Sequence, residues 1–254
     1  MDTNFKLLKN ISIGIIGVRG IGNIYIRELS SLGFKKFYIY GKDYKNTLNY
    51  KKNIEKNSNL KILTCNSIKQ LKKKKLDLLC ICSPTETHLK YIKEFIVEKT
   101  KIIVEKPLFW NNAYTSKKIE KLSNYLFSVK SKKLISNLPI IDYSKSLVLN
   151  FNVNKKKIKK LTFKYYTSGN NQFKNIAVDL LPHALSFLLY LYPDESSLIK
   201  IKSKISKQNM WKCVFTLNGI KCTFDFNQNK NRENSMLKIS INNNTYYRIQ
   251  KRNL

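Results

Sequence analysis

The sequence predicts an α/β chain of two domains, a parallel-sheet domain followed by an α+β domain with an open mixed or antiparallel sheet. Apolar runs alternate with amphipathic stretches in the first half, which is typical of strand–helix–strand crossover units. After about residue 138 this alternation gives way to closely spaced strand-like runs. We therefore expect domains at residues 1–138 and 139–254.

The first domain is predicted to contain six strands. Apolar runs bounded by polar or turn residues place them at Ile11–Gly17, Phe37–Tyr40, Leu60–Leu63, Leu76–Cys82, Lys101–Val104 and Lys133–Leu138. A first helix is expected from about Ile21 to Leu32, because Gly33 suits the left-handed position after a helix. A later helix is predicted over Asn112–Val129.

The second domain is predicted to contain five strands, at Leu161–Tyr166, Ile199–Ile205, Met210–Leu217, Ile220–Asn227 and Met236–Ile241. Asn218-Gly219 between two of these runs is a strong signal for a two-residue hairpin. Pairing across that turn gives one apolar face and one largely polar face. The apolar face holds Trp211, Cys213, Phe215, Leu217, Ile220, Cys222, Phe224 and Phe226.

The formal charge of +32 does not by itself indicate a nucleic-acid partner. Only five of the 48 basic residues are arginine, the side chain that recognises phosphate in a bidentate manner. The lysines are scattered, with runs only at Lys72–Lys75 and Lys155–Lys160. We expect a solvated cationic surface with no specific nucleic-acid partner.

The five cysteines have no metal-ligand spacing, and we expect no metal site. An odd cysteine count without a secretory signal favours reduced thiols and a cytoplasmic location. The apolar segments are shorter than the roughly 18 residues that span a bilayer, so we expect no membrane association.

A glycine-rich turn follows the first predicted strand and opens the first helix. Gly17 and Gly22 take the first and third places of a G-x-G-x-x-G pattern, while Arg19 stands in the middle place beside Gly20. Such a turn presents backbone N–H groups to a pyrophosphate. Either Gly20 replaces the missing glycine or Arg19 turns outward and pairs with phosphate. The candidate cofactor-binding residues of the turn are Gly17, Arg19, Gly20, Ile21 and Gly22.

The second strand ends in Tyr40-Gly41-Lys42-Asp43. An acid at this point binds the adenosine ribose hydroxyls of NAD, whereas a cation accommodates the 2′-phosphate of NADP. Gly41-Lys42 slightly favours NADP, and Asp43 leaves NAD open. Lys42 is a candidate cofactor-binding residue.

Glu105-Lys106-Pro107 lies between a predicted strand and an aromatic pair. A residue before proline is restricted to extended backbone, so Lys106 is expected at the carboxyl end of the strand. Ligands of open parallel sheets bind at that edge. Composition alone makes a lysine at any position unremarkable, so the context carries this prediction.

The chain has only two histidines. His88 lies where the fourth strand passes into a helix, and His183 lies in an apolar helical segment. Asp179 precedes His183 by four residues, so the two share one helical face if both are helical. Alternatively Asp179 is an N-cap, with Pro182 in the first turn, and both interpretations can hold together.

Four motifs in order resemble the glucose–fructose oxidoreductase/inositol dehydrogenase/MocA (Gfo/Idh/MocA) family. They are the glycine turn, Ser83-Pro84-Thr85-Glu86-Thr87-His88, Val104-Glu105-Lys106-Pro107-Leu108 and Asp179-x-x-x-His183. The resemblance implies a Rossmann NAD(P)-binding domain followed by a domain on an open mixed sheet. It covers nearly the whole chain, which is shorter than most members.

By this resemblance, Lys106 contacts the reacting oxygen, His183 donates or accepts the proton, and Asp179 is its partner. Ser83, Pro84 and His88 are implied at the nicotinamide end, with Glu105 also contacting the cofactor. The usual acid three residues after the histidine is Ser186 here. That departure bears on the substrate more than on the cofactor.

The predicted function is that of an NAD(P)-dependent oxidoreductase acting on CH–OH groups. Hydride would pass between nicotinamide and a hydroxyl or carbonyl carbon of a sugar, nucleotide-sugar or cyclitol. The alternative is a catalytically inactive nucleotide-binding regulatory or scaffold protein of the same fold. The polar hairpin face leaves little apolar area for association, so we expect a weak homodimer at most.

Overall fold

In a computed structural model, the described residues are 11–128, 133–138, 140–193 and 199–251. They fall into two compact units, residues 1–137 and 138–254. No helix among the described residues is both long and apolar enough to cross a membrane. The same residues contain no group of three or more side chains suited to a metal ion.

The first unit is built on a six-stranded sheet of order β3-β2-β1-β4-β5-β6, in which every pair is parallel. The strands are β1 Ile13–Ile16, β2 Lys36–Tyr40, β3 Lys61–Thr64, β4 Leu78–Ile81, β5 Lys101–Val104 and β6 Leu134–Ser136. The predicted parallel sheet is thus confirmed. This order reverses its direction between β1 and β4, which is the crevice where such sheets bind dinucleotides.

Five helices connect these strands, and they are α1 Ile21–Ser31, α2 Tyr44–Lys56, α3 Ile68–Lys72, α4 Thr85–Phe95 and α5 Ser116–Ser128. The chain leaves α1 through Gly33, which has the left-handed φ of 98° that its position predicted. Helix α5 begins later than predicted because Thr115 Oγ1 accepts the Lys118 N–H at 3.2 Å and caps it. Its predicted end, Val129, lies outside the described residues.

Both faces of this sheet are buried, as a parallel sheet requires. One apolar cluster contains Ile15, Ile26 and Phe37, and another contains Leu79, Phe95 and Ile102. The helices on the two faces leave the carboxyl ends of the strands as the edge where side chains and ligands meet.

The second unit has a mixed six-stranded sheet of order β12-β11-β7-β10-β9-β8. Its strands are β7 Lys160–Thr167, β8 Ile199–Lys207, β9 Met210–Leu217, β10 Ile220–Gln228, β11 Asn234–Ile241 and β12 Asn244–Lys251. Its helices are α6 Ile140–Asn150, a 3-10 turn Lys155–Lys157 and α7 Lys174–Leu191. Strand β12 and helix α6 were not among the predicted elements.

The predicted hairpin between β9 and β10 is confirmed. Leu217 pairs with Ile220 across Asn218-Gly219, and Trp211 pairs with Phe226. The eight apolar-face residues are all buried, and they pack in one core with apolar residues of α6 and α7. The other face is less solvated than predicted, because Asp225 is only 9 % exposed and lies beside Tyr166 and Lys164.

Candidate active site

The turn after β1 requires glycine for steric reasons. Gly17 has φ 85°, and a Cβ there would lie 2.7 Å from the Ser83 backbone nitrogen at the end of β4. A Cβ on Gly22 would collide with the Gly17 carbonyl oxygen. The first and third glycines of the motif thus permit contacts between backbone segments that no larger residue allows.

A cavity of about 590 Å³ opens beside this turn. Its lining residues come from the carboxyl ends of β1, β2 and β4, the edge predicted to bind a ligand, and they are Gly17, Val18, Arg19, Gly20, Gly41, Lys42, Asp43, Asn46, Thr47, Cys82, Ser83 and Pro84. Six of the ten predicted cofactor-binding residues are in this lining. Ile21, Gly22, His88 and Glu105 are not.

The electrostatics of this cavity favour an anion. Arg19 and Lys42 are exposed cations in its lining. Helix α1 begins at Ile21 with no acidic residue in its first turn. The partial positive charge of that helix end therefore has no nearby carboxylate of its own helix to offset it.

At the end of the cavity next to β2, the carboxylate of Asp43 already accepts hydrogen bonds from within the protein. Asp43 is the N-cap of α2, accepting the Asn46 N–H at 3.0 Å and also the Asn46 side-chain amide. The strand's next residue after Tyr40 is Gly41, and a Cβ there would strike the Thr47 hydroxyl. That hydroxyl donates to the Asp43 carbonyl at 2.7 Å. Gly41 thus provides no acid to bind the ribose of NAD, and the carboxylate of Asp43 caps helix α2 instead.

His88 joins two loops at this edge of the sheet. Its Nε2 lies 2.7 Å from the Ser83 carbonyl oxygen, and its Nδ1 lies 3.0 Å from the Pro107 carbonyl oxygen. The ring is 1 % exposed. Since a carbonyl oxygen only accepts and a neutral imidazole carries one N–H, the ring donates to one of the two carbonyls while it contacts both the Ser83 segment and the Lys106-Pro107 segment. His88 therefore supports the cavity from behind its lining.

Glu105 and Lys106 follow directly after β5, as predicted, and the Lys106–Pro107 peptide is cis. The Glu105 carboxylate accepts a hydrogen bond from Asn137 Nδ2 at 2.7 Å. The Tyr25 hydroxyl of α1 also bonds to Glu105, and the pKa of Tyr25 is raised by burial and then by that carboxylate. Glu105 thus links α1, β5 and the residue after β6.

In the second unit, Asp179 and His183 both lie inside α7, one helical turn apart. The N-cap interpretation of Asp179 is wrong, because α7 begins at Lys174 and its N-cap is Phe173. Pro182 is likewise inside the helix instead of in its first turn. Because α7 begins so early, both side chains share one face of the helix.

A cluster of side chains surrounds this face of α7. Asp179 Oδ2 accepts from Gln228 Nε2 at 2.6 Å and from Asn171 Nδ2 at 3.3 Å. His183 is 7 % exposed and packs edge-to-face on Tyr165, with ring centroids 5.3 Å apart. Burial is also the main reason that the pKa of Tyr165 is raised, with Asp179 a smaller cause.

Sequence reasoning missed several residues of both clusters. Asn137 is the first residue after β6, so its position at the ligand edge follows from the strand end. Tyr25, Asn171 and Gln228 carry no such signal, because their partners are far away in sequence or belong to other elements. Lys106 lies in the first unit, whereas Asp179 and His183 lie in the second.

Comparison with known proteins gives one family match. The family model described as an oxidoreductase family with NAD-binding Rossmann fold, GFO_IDH_MocA, matches residues 11–130. These residues include the glycine turn, the Ser83–His88 segment and Glu105-Lys106-Pro107. No curated protein matches the chain.

Solved structures resemble the chain over nearly all its length. A dehydrogenase (MviM) from Clostridium difficile is 18% identical with a TM-score of 0.63, covering 96% of this chain and 84% of that one. The myo-inositol 2-dehydrogenase of Lactobacillus plantarum is 14% identical with a TM-score of 0.68, at 94% and 76% coverage. The WlbA dehydrogenase of Thermus thermophilus, solved with NAD and UDP-GlcNAcA, is 12% identical with a TM-score of 0.66, at 94% and 83%. Similarity at these identities establishes the two-domain fold.

Proposed function

We propose that this chain, whose residues 11–130 match the Gfo/Idh/MocA family model of NAD-binding oxidoreductases, transfers hydride between NADP(H) and a carbon bearing a hydroxyl or carbonyl. The observation that carries the proposal is the cavity where the direction of the sheet order reverses. Its glycine turn, cationic lining and uncompensated helix end fit a dinucleotide pyrophosphate.

The NADP preference rests on the end of β2. Gly41 supplies no side chain, and both carboxylate oxygens of Asp43 accept hydrogen bonds from Asn46. Lys42 is exposed in the cavity lining and is the cation nearest in sequence to this point. A 2′-phosphate would therefore meet a lysine and not an unengaged acid.

The bound nicotinamide supplies or accepts the hydride. In the reductive direction, Lys106 stabilises the negative charge that develops on the carbonyl oxygen, and His183 delivers the proton that completes the hydroxyl. Asp179 favours the protonated form of His183 by its negative charge. In the oxidative direction the same groups act in reverse, with His183 accepting the proton.

A sugar, nucleotide-sugar or cyclitol is the proposed substrate class. Two of the similar structures are a myo-inositol 2-dehydrogenase and a dehydrogenase solved with UDP-GlcNAcA. The group at residue 186 is serine, whose hydroxyl donates to the His183 carbonyl at 2.8 Å. Because residue 186 is not an acid, the substrate must be contacted by other residues.

Self-association is proposed to be weak. The face of the second sheet opposite α7 carries Lys164, Lys212, Lys221 and Lys238. Two copies packed through this face would bring like charges together. Sedimentation should show a monomer or a weak dimer, and a stable tetramer would contradict this.

Fluorescence titration with NADPH and NADH tests the cofactor site. NADPH should bind about tenfold more tightly or better, the scale of one charge-assisted contact. Lys42→Glu should remove that preference, while Lys45→Glu, the same charge change on an exposed residue outside the lining, should keep it. Tighter binding of NADH would refute the NADP preference. If neither nucleotide binds, the proposed function is wrong.

A screen of sugars, nucleotide-sugars and cyclitols with the bound cofactor tests the reaction. On any substrate found, Lys106→Met should lower kcat by about 10²–10³-fold, as expected for loss of one oxyanion donor. Lys101→Met, at the opposite end of the same strand, is the matched control. Near-equal turnover of the two variants would remove Lys106 from the reaction.

A further inference from the structure

Gln228 is a buried polar side chain that the sequence does not single out. It is the last residue of β10 and is 3 % exposed. Its Nε2 donates to Asp179 Oδ2 at 2.6 Å. A charged acceptor makes this one of the stronger kinds of hydrogen bond.

The orientation of the Gln228 amide is fixed by its surroundings. Its Oε1 accepts the backbone N–H of Asn171 at 3.0 Å. Because a backbone N–H only donates, that atom must be the oxygen, and the NH₂ group must therefore face Asp179. A flipped amide would lose both contacts at once.

The backbone around Gln228 packs closely on the amide. A Cβ on Gly169 would lie 2.5 Å from the amide carbon and nitrogen, so this glycine lets the chain pass directly over the amide. The Gln228 N–H itself donates to the Asn209 carbonyl at 3.0 Å. The Gln228 amide that donates to Asp179 is thus constrained by the Asn171 N–H, by the backbone at Gly169 and by the hydrogen bond of the Gln228 backbone N–H to Asn209.

This donor acts on the ionised form of Asp179. Hydrogen bonds to a carboxylate stabilise its charge, and an ionised carboxylate one helical turn from an imidazole stabilises the imidazolium. Two other titratable or charged side chains bear on this pair. Tyr165 of β7 packs on His183, and Arg248 of β12 influences the pKa of Tyr165. Arg248 opposes Asp179 in its effect on Tyr165.

We propose that Gln228 is a positioning residue that holds the Asp179 carboxylate ionised and fixed on the α7 face shared with His183. The inference rests on the proposed roles of Asp179 and His183. In this scheme Gln228 acts on the reaction through Asp179.

Two histidines make a direct test practicable, because an imidazole NMR spectrum of the full chain contains only their resonances. His183→Asn assigns them. Gln228→Met removes the donor that stabilises the Asp179 carboxylate, so the midpoint of the His183 titration should fall by at least about 0.5 pH unit. Gln208→Met, the same change on an exposed residue of the same unit, should leave the midpoint in place. Equal midpoints in the two variants would overturn the proposal.

Turnover gives a second measurement. Gln228→Met keeps the chain length but removes the donor, and it should lower kcat by about 10–100-fold with the NADPH dissociation constant unchanged. If Gln228→Met has the same kcat as the unmutated protein, the positioning role is wrong. Should Gln228→Met fail to fold, the unmutated protein decides: the Gln228 side-chain amide should exchange slowly and shift as Asp179 titrates. Exchange as fast as that of an exposed glutamine would overturn the inference.

The failure of this inference is distinguishable from that of the proposed function. The His183 titration needs neither cofactor nor substrate. If His183→Asn keeps full turnover while Gln228→Met still moves the His183 titration, the assigned reaction role is wrong and the coupling stands. If His183→Asn abolishes turnover but the titration does not move, the reaction role stands and the Gln228 inference is wrong.

Discussion

The candidate sites of the two units depend on different kinds of contact. In the first unit the critical contacts all involve backbone groups: Gly17 against the end of β4, Gly22 against Gly17, and the His88 ring on two backbone carbonyls. In the second unit they are between side chains, with Asp179 held by Gln228 and Asn171. A backbone site fails when an atom is added, whereas a side-chain site fails when a donor or charge is removed.

The largest expected effect is on the side-chain site. His183→Asn should lower kcat by about 10²–10⁴-fold, since it removes the general acid or base. NADPH affinity should not change, because the proposed cofactor cavity lies within the first unit. Steady-state kinetics and NADPH titration on the same preparation measure both. Parallel losses of affinity and turnover would show that the two sites do not separate in this way.

The site in the first unit should lose its cofactor affinity when a side chain is added to Gly17. Gly17→Ala should lower NADPH affinity by about 100-fold, because an added Cβ meets backbone atoms and the positive φ disfavours alanine. Gly219→Ala is the matched control, since its φ is 80° but a Cβ there would have nothing within 4 Å. That control should lose only about 1 kcal/mol of stability and no affinity. Equal affinity in the two variants would refute the steric account.

This difference explains how much the sequence could predict. Glycine spacing, strand ends and residues before proline are local signals, and they located the parallel sheet, the turn and Lys106 at the carboxyl edge. The hairpin register also followed from Asn218-Gly219. By contrast, Gln228 reaches Asp179 across 49 residues, and nothing in the local pattern announces the contact.

The misplaced elements have a similar cause. The N-cap interpretation of Asp179 depended on where α7 begins, and that is decided by Phe173 in an unusual conformation. Asp225 lies on the face of the hairpin that the pattern predicts to be polar, yet its burial comes from neighbours on another strand. Local pattern gives the face of a residue, whereas tertiary packing decides its exposure.

His88 offers a test of the support beneath the backbone site. His88→Leu leaves the Ser83 and Pro107 carbonyls without the ring nitrogens, and should lower the free energy of unfolding by about 2–3 kcal/mol. NADPH affinity and kcat should fall as well, because the loops carrying Ser83 and Lys106 lose their link. Urea denaturation and nucleotide titration measure these effects.

The control for His88 lies at the opposite edge of the same sheet. Thr100 is 4 % exposed and donates to the Leu76 carbonyl at 2.8 Å. Thr100→Val should cost about 1 kcal/mol of stability, with nucleotide affinity unchanged. If both variants lose affinity in proportion to stability, His88 has only a general structural role.

The smallest effect concerns two helix starts with nearly the same backbone. Gly20 at the start of α1 has φ 52° and ψ −113°, and Phe173 at the start of α7 has φ 50° and ψ −129°. Glycine adopts this conformation readily, whereas phenylalanine is strained in it. At Gly20 the absence of a side chain leaves the helix N-terminus open to the cavity.

Phe173→Gly should therefore raise the free energy of unfolding by about 1 kcal/mol, since release of strain outweighs the greater freedom of glycine in the unfolded chain. The ring is 52 % exposed, so little burial is lost. Phe173→Ala removes the ring but keeps the Cβ in the strained conformation, and should not stabilise. If both substitutions change the urea midpoint equally, the ring and not the backbone is responsible, and the two helix starts differ in sequence without differing in strain.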